Sequence, residues 1–184
     1  MGAWAMSGLA RRFGMCRWWC AAYVLLFSAT VAAAPTEYEV KAAFIHNVVK
    51  FVDWPMQPAS ADGMLRFCVV GQDVFGRALD VLRDKPIGAM TWQVVVVNGK
   101  TDLRECRVLF ISGSETGNVK RVLDSLKSSP VLTIGDTESY GELGVIVNFY
   151  LEDGKVRFEI NPEAAKRVGL KMSSQLLKLA RIVQ

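Results

Sequence analysis

The stretch Gly144–Asn161, GVIVNFYLEDGKVRFEIN, reads as a β-hairpin. Asp153-Gly154 supplies a two-residue turn that needs positive φ, which Gly and Asp adopt at least cost. Folding the ladder about that turn sets Leu151 opposite Val156, Phe149 opposite Phe158 and Val147 opposite Ile160. These pairs are all apolar, and side chains alternate across a strand, so they share one face. The other face pairs Glu152 with Lys155, Tyr150 with Arg157 and Asn148 with Glu159. A slip of one residue would send the apolar set to the wrong side, so the register is well specified. The sequence that follows, NPEAAKRVGLKMSSQLLKLARIV, predicts two short helical segments able to cover one face of a sheet.

Upstream of the hairpin the pattern alternates strands with helices. Glu37–Phe51 predicts an amphipathic helix with Val40, Phe44, Val48 and Phe51 on one stripe, bordered by Ala43 and Asn47; Trp54-Pro55 ends it. Gln57–Gly63 is a loop. Leu65–Val70, Thr91–Val97, Val108–Ile111 and Val131–Ile134 predict four strands. Asp73 caps a helix through about Leu82, with Phe75, Leu79 and Leu82 facing inward. Lys85-Pro86-Ile87-Gly88 and Asn98-Gly99 are turns. Ser112-Gly113-Ser114-Glu115 fits a capping box that opens a helix to Lys127, with Val119, Val122, Leu123 and Leu126 as its apolar stripe. A short helical piece is expected at Glu138–Leu143. Strands separated by helices imply βαβ units and a parallel core. The expected fold is α/β: a Rossmann-like three-layer core with a mixed sheet and a C-terminal β-hairpin followed by helices.

Residues 1–34 read as a secretory signal peptide, and residues 35–184 as one domain. The leader carries Arg11, Arg12 and Arg17 and no acid, then an apolar run ending in Ala32-Ala33-Ala34. The alternative is a retained membrane anchor, but the run is about 15 residues, short of the roughly 20 that span a bilayer. Losing the three arginines leaves 19 basic side chains, from 22, against 18 acidic ones. No basic patch for nucleic acid remains to argue from. Cys16 and Cys20 leave with the leader. Cys68 and Cys106 remain, and in an exported chain two cysteines most simply form one disulfide; the alternative is two separate buried thiols.

Few residues point to chemistry. Gly71-x-Asp73-x-x-Gly76 follows a strand but lacks the dinucleotide fingerprint, so turn and cap are favoured over phosphate binding. His46 is the only histidine, and a lone mid-helix histidine is more often a partly exposed residue than a base or ligand. No second histidine or cysteine cluster has metal-ligand spacing, and no calcium loop is present, so neither metal nor cofactor is expected. Ser112 and Ser114 do not sit in G-x-S-x-G, and a hydrolase triad would have to use His46. The hairpin's polar face, Asn148, Tyr150, Arg157 and Glu159, has two readings. It is a solvated face, or a surface covered by the C-terminal helices or by a partner; the same residues would also suit orienting a small ligand. Trp54, Trp92 and the LLKLARIV segment, whose Leu176, Leu177, Leu179, Ala180 and Ile182 would cover much of a helix circumference, are interface candidates.

Several stretches together resemble one family. KAAFIHNVVKFVDWP (41–55), CVVGQDVFG (68–76), CRVLFISGSE (106–115) and the run from Gly144 to Val183 are similar to the YfiR/HmsC-like periplasmic proteins. The resemblance covers nearly all of the chain after the leader and keeps its order. It implies a non-enzymatic periplasmic regulator that represses an inner-membrane diguanylate cyclase by binding its periplasmic domain, limiting cyclic-di-GMP signalling and biofilm formation. It further implies an outer-membrane lipoprotein that can sequester the repressor, a homodimer, and a disulfide at Cys68 and Cys106. A second cysteine pair of some members is replaced here by Val and Gly. Two other classes stay open: a periplasmic small-molecule sensor serving a membrane cyclase or sensor kinase, with its ligand at the strand C-termini and the hairpin's polar face, and an exported enzyme using His46 or Ser112.

Overall fold

A computed structural model describes residues 34–55, 63–83, 85–97 and 101–184. The leader expected at residues 1–34 lies outside the described residues except for Ala34, as do the Gln57–Gly63 loop up to Gly63 and the Asn98-Gly99 turn.

Helix α1 (Glu37–Val49) opens on a capping box. The Thr36 hydroxyl accepts from Glu39 N, and the Glu39 carboxylate accepts from Thr36 N at 2.7 Å, so two orphan amides of the first turn are satisfied. The chain then forms β1 (Val52–Asp53), β2 (Met64–Val70), a 3-10 turn leading into α2 (Asp80–Arg83), β3 (Pro86–Ile87) and β4 (Met90–Val96). Next come β5 (Val108–Ile111), α3 (Val119–Ser125), β6 (Leu132–Gly135) and α4 (Tyr140–Leu143). The hairpin strands are β7 (Val147–Glu152) and β8 (Lys155–Ile160). The C-terminal run gives α5 (Pro162–Arg167), β9 (Lys171–Met172), α6 (Ser174–Leu177) and β10 (Arg181–Ile182).

Eight strands form one mixed sheet in the order β10-β8-β7-β6-β5-β2-β4-β3, and β1 pairs with β9 separately. The core β4-β2-β5-β6-β7 is parallel; β3 is antiparallel to β4 and β8 to β7, and β10 runs parallel to β8. The chain starts inside the sheet at β2, goes first to β4 and then back past β2 to β5. Helices cover both faces. On one face Phe67, Val69, Val108, Phe110, Ile134 and Phe149 pack against α1, α2, α5 and α6. On the other, Leu109 and Ile111 pack against α3 and against Tyr140 of α4. The fold is therefore α/β with a mixed sheet between helical layers, as the alternation of elements implied.

The hairpin register is the one the alternation predicts, from Val147 opposite Ile160 to Glu152 opposite Lys155. Asp153 (φ 50°) and Gly154 (φ 70°) both take positive φ, the turn whose twist matches the flanking strands. Cys68 of β2 and Cys106 before β5 are joined by a disulfide with Cα atoms 5.9 Å apart.

Three local expectations need correction. The buried face of α1 is Ala42, Ile45, Val48 and Val49 together with Lys41 and His46, so the stripe is rotated from the one read through Val40 and Phe44; Phe51 lies beyond the helix and is exposed. Ser112 caps only a 3-10 turn, Gly113–Glu115, and the helix proper waits until Val119. LLKLARIV is not one helix: α6 is a single turn, and Arg181–Ile182 pairs parallel with β8 as an edge strand. Pairing with the open edge of β8 outcompetes the segment's leucine-rich helix propensity.

Candidate binding site

The sheet register aligns one row of side chains across four strands: Gly135, Asn148, Glu159 and Arg181. These are the polar hairpin residues Asn148 and Glu159, extended by residues from β6 and β10. Both are buried, at 2 % and 4 % exposure. Asn148 Nδ2 donates to Glu159 Oε1 at 3.0 Å and to the Thr137 carbonyl at 2.9 Å. Arg181 donates from Nε and Nη2 to Glu159 Oε2. The charge-assisted bonds to Glu159 raise the Arg181 pKa. The guanidinium also lies 4.1 Å from the Tyr150 ring centroid.

Glycine makes the row possible. A Cβ at Gly135 would sit 2.5 Å from Tyr140 Cδ2 and 3.2 Å from Asn148 Oδ1, and one at Gly141 would sit 2.7 Å from Glu159 Oε1. The cover over this row is α4, so the C-terminal helices do not cover the hairpin's polar face. Asn148 Oδ1 is buried and has no hydrogen-bond partner.

A second polar cluster meets the row from α1. Lys41, 4 % exposed, reaches Asp136 Oδ2 at 2.7 Å and Glu37 Oε1 at 2.6 Å, and the Tyr38 hydroxyl donates to Asp136 Oδ2 at 3.1 Å. Burial alone would lower the Lys41 pKa; the hydrogen bonds to Asp136 and Glu37 outweigh it and hold the ammonium above its ordinary value. Tyr38 is pushed up by burial and by the Asp136 charge. Together the two clusters line a cleft of about 450 Å³ beyond the C-terminal end of β6, with Glu138, Ser139 and Leu151 completing its walls. Ser139 holds φ 67°, a left-handed conformation that a non-glycine residue adopts at a cost.

The four hairpin residues do not all converge. Arg157 is exposed near the hairpin tip, 3.6 Å from Glu152, and takes no part in the cleft. The sequence reading missed Lys41, Asp136 and Arg181. A lysine inside an otherwise apolar helix face was the available sign for the first; the others depend on long-range register.

The remaining candidates lie outside this cleft. His46 is buried and accepts from Trp92 Nε1 at 3.1 Å through Nδ1, so it is not the partly exposed residue expected, and Trp92 at 4 % exposure is not a surface residue. Burial, and then the charges of Lys50 and Lys85, lower the His46 pKa, so the ring stays neutral and can accept. Ser114 Oγ accepts from Gln72 N at 2.9 Å, bracing the turn at Gly71, whose φ is +89°. Trp54 is half-buried with the Arg107 guanidinium 5.5 Å from its ring centroid. Among the described residues no group of three or more His, Cys, Asp or Glu is placed to hold a metal ion, and no helix is long and apolar enough to cross a membrane.

A family model described as YfiR/HmsC-like matches residues 38–181. The chain belongs to the YfiR/HmsC-like family. YfiR/HmsC-like proteins are periplasmic and regulatory, not catalytic, and act on membrane diguanylate cyclases. Solved structures show the fold more widely. A conserved domain protein from Vibrio cholerae is 12 % identical, with a TM-score of 0.56, over 83 % of this chain and 62 % of that one. A Streptococcus pneumonia ABC domain in complex with L-Trp is 10 % identical, with a TM-score of 0.52, over 79 % of this chain and 60 % of that one. The YfiR/HmsC-like chain thus spans about three fifths of the length of these structures, and at such identities the likeness is one of fold alone.

Proposed function

We propose that this protein represses an inner-membrane diguanylate cyclase by binding the cyclase's periplasmic domain. The observation that carries the reading is the family match, which extends over nearly all of the chain after the expected leader. A binding protein changes a partner's output only through different affinities for its active and inactive states, so the repressor must favour the inactive one. Residues 35–184 act as the exported domain after removal of residues 1–34. The protein works as a homodimer, and an outer-membrane lipoprotein relieves repression by competing for it. The partner meets the cleft end of the sheet, where Asn148, Tyr150 and Glu159 lie; of the four hairpin residues, Arg157 is the peripheral one.

Deleting the gene in a strain that carries the partner cyclase raises cellular cyclic-di-GMP and surface attachment, and restoring the exported protein reverses both. Unchanged levels in that strain contradict repression. A second reading, a small-molecule sensor for the same pathway, draws support from the cleft and from Asn148, a lining residue whose buried Oδ1 has no partner. A metabolite that raises the melting temperature of the wild type but not of Asn148→Ala would favour that reading.

A further inference from the structure

The β7 strand has an open edge inside the cleft. The Glu152–Lys155 pair closes the two-residue turn and exchanges hydrogen bonds, so even-numbered residues of β7 point their amides at β8. The 2.8 Å bond from Asn161 N to the Ile146 carbonyl continues the same phase. The N–H and C=O of Leu151 therefore point the other way, toward the lane of β6. That lane is empty there, because β6 ends at Gly135 opposite Asn148 and no strand among the described residues pairs with β7 beyond it. An unpaired edge is a template for another strand, and folded proteins ordinarily guard it with Lys, Pro or a covering loop. The open part of β7 beyond Asn148 is Phe149–Glu152, FYLE, with no lysine and no proline. Leu151 is 55 % exposed and lines the cleft.

Charge says what fits. The cleft holds four carboxylates, Glu37, Asp136, Glu138 and Glu159, against two cations, Lys41 and Arg181, both already engaged by those acids. Roughly three residues of extended chain, at about 3.3 Å each, span the open part of the strand.

We propose that an extended, basic segment of the partner's periplasmic domain adds to β7 in the lane beyond Gly135. It takes the Leu151 amide and carbonyl as main-chain partners, sets an apolar side chain beside Leu151 and turns basic side chains to the acidic rim. This rests on the partner reading above and gives it a mode of contact.

The test uses the exported-length chain and the purified periplasmic domain of its cyclase. Leu151→Pro deletes the N–H aimed at the cleft without removing a bond to β8, a position where an edge strand tolerates proline. Leu151→Val keeps the N–H. The expected result is about tenfold weaker binding for Leu151→Pro, the scale of one net hydrogen bond, with Leu151→Val near wild type and the Leu151 amide gaining hydrogen-exchange protection on complex formation. Glu138→Lys, exposed and outside every hydrogen bond of the row, weakens binding several-fold and serves if the proline variant does not fold. Wild-type binding with unchanged affinity in folded Leu151→Pro and in Glu138→Lys overturns strand addition while leaving the partner reading intact. No binding by the wild type overturns the partner reading itself. Binding of the domain with no gain of hydrogen-exchange protection at the Leu151 amide likewise overturns strand addition.

Discussion

The Cys68–Cys106 bond is the strongest single lever on stability. The two residues are 38 apart in sequence, and the bond ties the centre of β2 to the residue that leads into β5. Closing a loop of that length removes denatured-state entropy equivalent to about 4 kcal/mol at 25 °C in the chain-entropy treatment. That is a large share of the roughly 5–15 kcal/mol that holds a domain folded. Alanine is the informative replacement. Both sulfurs are buried, and a serine hydroxyl there would add a desolvation penalty of about 1–3 kcal/mol unrelated to the bond. Each alanine also removes a buried sulfur, at roughly 1 kcal/mol. Cys68→Ala and Cys106→Ala should therefore each cost about 5 kcal/mol, and the double variant only about 1 kcal/mol more than either. Urea unfolding followed by circular dichroism, without reductant, reads this as a midpoint lowered by about 2.5 M at an m-value of roughly 2 kcal/mol per M. Additive costs in the double variant, or single variants that differ by several kcal/mol, would refute the reasoning.

Two further outcomes follow from buried contacts. His46 is neutral in the fold, with its pKa depressed below its ordinary 6.5, so the unfolded chain binds more protons as the pH falls through that value. Its contribution is complete above pH 6.5 and is lost on acidification below it; urea titrations at pH 7.5 and 5.5 should show a loss in the wild type that is smaller in His46→Gln, and equal losses would remove His46 from the account. Gly135→Ala pushes a methyl into Tyr140, which is fully buried, and should cost about 1–3 kcal/mol by thermal unfolding; a neutral effect would mean that the row has slack.

What was legible in the sequence was local. The hairpin register follows from Asp153-Gly154 and a period-2 pattern within 18 residues, and both survive folding unchanged. The strands Leu65–Val70 and Val108–Ile111 were readable as apolar runs because both faces of a parallel sheet are covered. The helix face of α1 was not, because two of its buried positions are polar. Lys41 is held inside by Glu37 on its own helix and by Asp136, 95 residues away, and His46 by Trp92, 46 residues away. The candidate site was half legible for the same reason. Asn148 and Glu159 are paired by the hairpin itself, whereas Arg181 joins them only when the last residues abandon a helix for a sheet edge. Arg157 shares their face by alternation but sits too near the tip to be covered.

Cyclase output in the presence of the purified protein decides whether this molecule is a repressor. With the full-length membrane cyclase in nanodiscs, where both sides are accessible, the rate of cyclic-di-GMP formation from GTP should fall as the folded chain is added and level off once the periplasmic domains are saturated. A rate that stays constant while the two proteins are shown to be bound would contradict it.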